Sequence, residues 1–552
     1  MKKANKYINI RLLLVCAALS LAIISVVTKL VLLSISDGMF LQNEGKKRYI
    51  KYREIKSVRG GIYDRNNFPL AISIVNYDLY ALSGLTKNEL KKVNVVLDNE
   101  LNFDKNFLFK KKTLLKKNIT PTEHIALKEL NLNRLEVEVR HSRHYPLGDQ
   151  IAPLVGFYGK DGAQEGLEMS YDFLLDGTNG REKLYKNAKQ EIISKPIEVI
   201  NRVPGKDIIL TIDSTIQFYA YKYLAEAVKN NNAKSGSVIV LDNKEGEILA
   251  IASYPSYNPN DPMRSIQKNR ALVDAYEFGS AIKPILLSFA IDEEVIDLDE
   301  EIYTPQRFEI ENKIISDPKN HQSLKPMDII AYSSQVGATK VALKTGYDSI
   351  KKNYINFGFS KPISINFPSS SLGYFNFKDS VSDRELAALG YGYGFEVSPY
   401  QLASAYSVFA NGGILKDFVI IKDEPVISQQ VISKESADYI LQSLEAVVEY
   451  GTGKLAGLKN FDTGGKTSTV HKVSVTGYKD DSYRASFVGI APANEKSLTI
   501  MVSIDNPSLN SYSGGAVAAP IFAKIADSTL NYLGYWYDKK INVYFEYRFY
   551  PD

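Results

Sequence analysis

Cysteine is all but absent. Cys16 is the only one in 552 residues, so neither an internal disulfide framework nor a cysteine-rich metal site can form. Histidine is scarce as well: the five present are scattered and show no H-E-x-x-H spacing, which argues against a metalloenzyme. An excess of charge of one sign is missing too. Lysine and arginine total 67 against 63 acidic residues, and a net of +4 leaves no electrostatic footprint for nucleic acid. The hydrophobic content, 45 %, is that of an ordinary globular chain, and the length allows two to four domains with sizeable cores.

Long apolar runs are lacking with one exception. Lys2, Lys3, Lys6 and Arg11 precede an uncharged run from Leu12 to Thr28, and after Lys29 the apolar character resumes through Leu33. That is long enough to span a bilayer, with Lys29 able to snorkel outward. The basic leader predicts a cytoplasmic N-terminus. No A-x-A-like site follows, so residues 1–36 read as an uncleaved single-pass anchor rather than a signal peptide. Everything after the anchor is then expected outside the cytoplasm.

Beyond the anchor, Val58–Ala71 reads as a strand, a turn at Asp64–Asn67 and a second strand. From there to about Asn201 the text is irregular. Lys110, Lys111, Lys112, Lys116 and Lys117 read as a solvated face, and Arg143–Pro146 and Glu165–Glu168 as turns and caps. Near Pro204-Gly205-Lys206 the texture changes. Asp207–Ile212 alternates as a strand, Ser214–Ala227 has helical periodicity, and Ser237–Leu241 with Glu247–Ala252 flank a turn-rich loop as a hairpin. Tyr483–Ala491 and Ser497–Ile504 form a later strand pair. One antiparallel sheet flanked by helices accommodates these pieces.

The chemistry concentrates at Gly279-Ser280-Ala281-Ile282-Lys283-Pro284, which runs into the apolar helical pattern Ile285–Ala290. Ser280 and Lys283 stand three apart, on one helix face one turn from each other. A serine hydroxyl is a weak nucleophile until a base takes its proton, and a lysine can be that base if burial or another cation favours its neutral form. The helix N-terminus adds N–H groups for an oxyanion. A second polar cluster, Tyr332–Ala338, brings Ser333 and Gln335 to a loop between helices. A third, Thr463–Val470, offers a second cation in Lys466 and hydroxyls in Thr467, Ser468 and Thr469. The third is no Walker A loop, because Asn460 stands where the first glycine is required; Gly451–Lys454 fails too, since Leu455 follows the lysine. Lys344-Thr345-Gly346 lies where a helix should end, so Gly346 reads as its C-cap.

S-x-x-K, then an S-x-N variant, then a K-T-G variant is the ordered signature of penicillin-interacting serine enzymes. With the anchor, the Arg59–Ala71 stretch, Ser253–Pro259, Gly390–Gly394 and Gly514–Pro520, the chain resembles class B penicillin-binding proteins over nearly its whole length, most of all the septal, FtsI-type peptidoglycan D,D-transpeptidase. The resemblance implies an α+β protein: anchor 1–36, a mixed α/β pedestal over 37–203, a transpeptidase domain over 204–535 and an aromatic-rich tail over 536–552. It implies crosslinking of stem peptides ending in D-Ala-D-Ala, inhibition by β-lactams, no metal or cofactor, and a bacterial inner-membrane location. It also implies division partners, including a polytopic glycan polymerase. By position, Ser280 is acylated, Lys283 is its base, Ser333 relays the proton to the leaving amine and Lys466 tunes the pocket. Gln335 holds the substrate amide, Thr467 and Thr469 meet the carboxylate, and the N–H groups of Ser280 and Thr469 form the oxyanion hole. The family usually has Pro, Asn and Gly where this chain has Phe278, Gln335 and Ser468. The last two fall inside the cleft, where Ser468 is expected to crowd the acyl group. They keep open a weakly catalytic scaffold or β-lactam-binding protein, and, against the pedestal, a carboxypeptidase or β-lactamase.

Overall fold

The computed structural model describes residues 2–36, 38–101, 112–187, 192–261, 268–376, 378–474, 477–493, 497–509 and 511–535. Lys110, Lys111 and the 536–552 tail lie outside them. The described residues fall into two compact units, one made of the chain up to Arg59 with Asp176–Gly205, the other of Gly60–Leu175 with Lys206 onward.

In the first unit the helix Lys2–Ser36 carries the apolar run; Ile8–Ser36, 29 residues, is long and apolar enough to cross a membrane, and none of it is buried. A three-stranded antiparallel sheet follows, with Gly180–Tyr185 between Ile50–Ile55 and Glu198–Ile200.

The second unit opens with the expected strand–turn–strand. Asp64 closes the turn by accepting from the N–H groups of Asn66 and Phe68 at 2.8 and 2.7 Å, in the manner of an Asx turn. The strand that leaves it, Pro69–Ala81, is longer than the pattern suggests and pairs with both Thr113–Ile119 and Leu135–His144. Helices Lys87–Val96 and Pro121–Glu129 complete a small layer; each starts with a capping box, Thr86 with Glu89 and Thr120 with Glu123. Lys112 and Lys116 lie on a charged face, the first paired with Glu136 and Glu138, the second with Glu100 and Glu123. Arg143 and Glu168 are more than turn residues, because they meet as a buried ion pair at 2.6 Å. The Asp207–Ile212 strand shrinks to Ile208–Ile209, parallel to Ile62–Tyr63.

The larger part of this unit is a five-stranded antiparallel sheet. Its strands are β1 (Ser235–Asp242), β2 (Glu247–Tyr254), β3 (Gly464–Ser474), β4 (Gly477–Ala491) and β5 (Leu498–Asp505), in the order β2-β1-β5-β4-β3. The inner strands are near-continuously apolar because helices cover both faces. Val238 and Val240 point to a core with Ala220 and Leu224 of α1 (Ser214–Asn230) and Phe522 of α5 (Ala519–Tyr532), while Ile239 and Leu241 enter the core shared with α2 (Lys283–Asp292), α3 (Gln335–Thr345) and α4 (Lys434–Glu449). That split is the two-residue period of a strand. Gly346 caps α3 at φ 82°, as its position predicted. Strand β3 is left at the sheet edge.

Candidate active site

The nucleophile turn is built by close packing. Gly279 has φ 50° and donates its N–H to the Gly392 carbonyl at 2.9 Å. A Cβ on Gly392 would stand 2.1 Å from the Gly279 oxygen, so this approach admits only glycine there. Residues Gly279–Ile282 form a 3₁₀ turn that continues into α2 at Lys283, with Pro284 in the first turn where a missing N–H costs nothing. Tyr406 fixes the turn from behind, its hydroxyl donating to the Ala281 carbonyl at 2.6 Å. Ser280 is half-buried, and among the described residues its hydroxyl makes no hydrogen bond.

Lys283 does not bond the Ser280 hydroxyl. It is fully buried and donates to Ser333 twice, to the carbonyl at 2.6 Å and to Oγ at 3.2 Å. Lys466 reaches the same Oγ from β3 at 3.0 Å, and it too is fully buried. One hydroxyl thus sits between two amines that water does not reach. Desolvation pulls Lys283 down to about 7, partly offset by the carboxylate of Asp317. Burial, with the Lys283 charge beside it, pushes Lys466 well below the usual lysine range. Burial thus biases both amines toward their neutral forms, and a charge on either one works against a charge on the other.

Ser333 is held in the left-handed region at φ 61°, a strained setting for a residue with a Cβ. Asp317 holds the neighbouring segment. It accepts from the N–H groups of Gln335 and Val336 at 2.6 and 3.3 Å and from the Ser334 hydroxyl, which in turn caps α3 through Gly337 N at 2.8 Å. A carboxylate at a helix N-terminus complements the dipole as well as the free N–H groups. Gln335 is the first residue of that helix, half-buried, and its amide makes no hydrogen bond among the described residues.

On β3, Thr467 is buried and shares a hydrogen bond with the Thr452 hydroxyl at 2.9 Å. Thr469 is exposed and its Oγ1 accepts from Gly514 N at 2.9 Å. Ser468 differs from the expectation. It is 2 % exposed and its hydroxyl donates to the carbonyl of Phe278, so it ties β3 to the nucleophile turn rather than standing free beside Ser280. Phe278 is itself buried, 4.7 Å from the Tyr276 ring. Two of the three unusual residues are therefore in direct contact. Of the eight residues singled out in the sequence, Lys283, Ser333 and Lys466 are joined directly by hydrogen bonds, Ser468 reaches the residue before the Gly279–Ile282 turn that carries Ser280, and Thr467 and Thr469 flank Ser468 on β3, while the Gln335 side chain makes no hydrogen bond to the others among the described residues. Asp317, Thr452 and Tyr406 were missed, and only Thr452 carried a local signal, in the glycine-flanked Gly451–Lys454 stretch.

A half-buried serine whose hydroxyl makes no hydrogen bond among the described residues, one turn from a buried lysine brought down to about 7 and beside an edge strand, is the equipment of a serine acyltransferase acting on an extended chain. Comparison with known proteins agrees. Residues 236–527 match the penicillin binding protein transpeptidase domain and residues 54–210 the penicillin-binding protein dimerisation domain. The chain belongs to the penicillin-binding protein transpeptidase family. It is 33 % identical to the peptidoglycan D,D-transpeptidase FtsI of Buchnera aphidicola subsp. Schizaphis graminum over 95 % of each chain. It is 34 % identical to the probable peptidoglycan D,D-transpeptidase PenA of Neisseria meningitidis, over 90 % of this chain and 88 % of that one. The crystal structure of penicillin binding protein 3 from Mycobacterium tuberculosis, complexed with aztreonam, is similar with a TM-score of 0.68 at 25 % identity, covering 88 % of this chain and 98 % of that one.

Proposed function

We propose that this protein is a septal peptidoglycan D,D-transpeptidase that crosslinks stem peptides ending in D-Ala-D-Ala through an ester on Ser280. The observation that supports it most is the Lys283–Ser333–Lys466 chain at the end of the nucleophile turn. Ser280 Oγ attacks the carbonyl of the penultimate D-Ala as Lys283 Nζ takes its proton. The C–N bond to the terminal D-Ala breaks, and the proton passes through Ser333 Oγ to the leaving amine. An amine of a second stem peptide then attacks the ester; the crosslinking amide forms, and the amine's proton returns through Lys283 to Ser280 Oγ. The N–H groups of Ser280 and Thr469 hold the oxyanion in both steps. Gln335 holds the substrate amide, and Thr467 and Thr469 receive the terminal carboxylate.

Electrostatics couples binding to chemistry. A substrate carboxylate at Thr467 and Thr469 brings negative charge beside Lys466 and favours its ammonium form. That charge in turn keeps Lys283 neutral, so the base is armed when substrate arrives. β-Lactams enter as acylating mimics of the same peptide. Residues 1–36 serve as a single-pass anchor in the bacterial inner membrane with a cytoplasmic N-terminus, supported by the basic leader and the exposed apolar helix. Residues 37–203 act as a pedestal for division partners, a polytopic glycan polymerase among them, and 204–535 as the catalytic domain. Intact-mass analysis of the full-length protein after penicillin treatment, with peptide mapping, tests the reading. A single adduct on Ser280 that is lost in Ser280→Ala is expected; no adduct, or one that survives this substitution, overturns it.

A further inference from the structure

Asp317 belongs to none of the three motifs, and the mechanism gives it no part. It follows the hairpin of Arg307–Ile310 and Lys313–Ser316, and its own N–H donates to the Gln306 carbonyl at 3.0 Å, so the base of the hairpin fixes it. The residue is 4 % exposed. Its carboxylate accepts from Gln335 N at 2.6 Å, from Val336 N at 3.3 Å and from the Ser334 hydroxyl, and it forms no ion pair among the described residues. Lys283 bonds the adjoining Ser333 through both the carbonyl and Oγ. A carboxylate and an amine, both withdrawn from water, thus hold three consecutive residues, 333 to 335, between them.

A buried charge is costly unless another offsets it. Lys283, Ser333 and Lys466 offer two amines to this one carboxylate, so charge balances when the two amines share a single extra proton. The ends of the chain are not alike. Asp317 raises the proton affinity of Lys283, whereas burial and the Lys283 charge both lower that of Lys466. Charged groups on the other elements packed against α2 have partners elsewhere. Asp292, at the far end of α2, accepts from Ser433 N at 2.7 Å, and Glu445 of α4 feels Asp462 and Glu449. Lys340 of α3 lies over the Tyr303 and Phe308 rings, Asp328 accepts from the Tyr450 hydroxyl at 3.0 Å, and Lys352 is 3.7 Å from Glu293.

Resting on the transpeptidase reading, we propose that Asp317 is a positioning residue that supplies the counter-charge of the lysine pair. It holds the pair's proton at the Lys283 end while the cleft is empty and yields it to Lys466 when a substrate carboxylate arrives. In that exchange Lys283 gives a proton to Ser333 Oγ as the Ser333 hydroxyl passes its own to Lys466. The hydroxyl is regenerated, and no charge leaves the chain. Substrate binding thus completes the release of the base that Ser280 needs.

Two substitutions separate charge from frame. Asp317→Asn removes the charge, while its Oδ1 still accepts from the Gln335 and Val336 N–H groups and its Nδ2 donates to Ser334 Oγ. Asp317→Glu keeps the charge and disturbs the frame. The measurement is the second-order rate constant for labelling Ser280 with a fluorescent penicillin, on the full-length protein in detergent from about pH 5 to 9; its midpoint reads the charge on the free protein and its plateau the positioning. The wild-type midpoint should lie at about 7. Asp317→Asn should lower it by about one pH unit, the small end of what an opposite charge nearby does, which at pH 6 raises labelling relative to the plateau about fivefold. Asp317→Glu should keep the wild-type midpoint whatever its plateau. A midpoint that stays or rises in Asp317→Asn overturns the proposal, because Asp317 is then only a helix cap. So does an Asp317→Glu midpoint that falls as far. Should Asp317→Asn not fold, Asp317→Ser, which still offers an oxygen to Gln335 N, takes its place; if neither folds, the carboxylate serves the frame and the inference falls. Failure of penicillin to label wild-type Ser280 brings down the transpeptidase reading and this inference together; normal wild-type labelling with an unmoved Asp317→Asn midpoint brings down this inference alone.

Discussion

The floor of the cleft and its rim are made of the same kinds of side chain but are prepared differently. On the floor, Lys283 and Lys466 are fully buried and both bonded to Ser333. At the rim, Ser280 and Gln335 are half-buried with side chains that make no hydrogen bond among the described residues, and Thr469 is exposed. The difference follows from what each has to do. A lysine becomes a base near neutral pH only when water is withdrawn from it, so the proton-handling groups must be satisfied by one another. The groups proposed to bind substrate are less committed: Ser280 and Gln335 make no side-chain hydrogen bond among the described residues, and the Thr469 hydroxyl, which accepts from Gly514 N, keeps its own hydrogen to donate. Ser468, which its motif position assigns to the rim, belongs with the floor by burial and by its bond to Phe278.

The largest effects should come from the floor. Lys283→Ala should slow acylation of Ser280 by about a thousandfold, the range of a lost general base. Stability should move the other way. The folded-state value of about 7 lies below the ordinary 10.5, so the unfolded chain holds the extra proton and stability from this group rises with pH between the two. Lys283→Met, which keeps the bulk without the amine, should therefore stabilise the protein at neutral pH by on the order of 2 kcal/mol, read from thermal or denaturant unfolding. A destabilised methionine variant would mean that the Ser333 bonds outweigh the desolvation.

Next comes the shared hydroxyl. Ser333→Ala and Ser333→Gly should both lower acylation by about a hundredfold if this hydroxyl is the proposed relay to the leaving amine. They should part in stability, with glycine the more stable by about 1 kcal/mol since it relieves the φ of 61°. Equal stabilities would argue that the backbone there is not strained.

Smaller again is the Ser468 tie. Ser468→Ala should destabilise by about 1 kcal/mol and slow acylation a few-fold, because the nucleophile turn loses one of its fixings. Faster labelling in Ser468→Ala or Ser468→Gly would restore the view that this side chain crowds the acyl group and would break the assignment of Ser468 to the floor. The smallest effect belongs to the rim. Gln335→Asn should leave stability within about 0.5 kcal/mol and change acylation by peptide donors only a few-fold, since no contact in the free protein depends on the longer arm.

Much of this was legible in the sequence because its signals are local. The Ser280–Lys283 spacing, the apolar run of α2, the β1–β2 hairpin and the capping glycine at Gly346 each depend on a few consecutive residues. What escaped depends on contacts made far along the chain. Asp317 lies in no motif and matters only because a turn delivers it to the start of α3. The Ser468 bond joins residues 190 apart, and nothing around either position announces it. The layer at Pro69–His144 was hidden for another reason. Its strands are mostly half-exposed and its own core is small, so the two-residue period that betrays a strand is blurred.

The central claim is that Ser280 is activated by a lysine kept neutral by burial, and the pH dependence of covalent penicillin labelling at Ser280 tests it most directly. With Lys283 at about 7, the labelling rate should rise close to tenfold per pH unit below that value and level off above it. A rate that stays flat through this region, or that climbs only near the ordinary lysine range, would contradict the account.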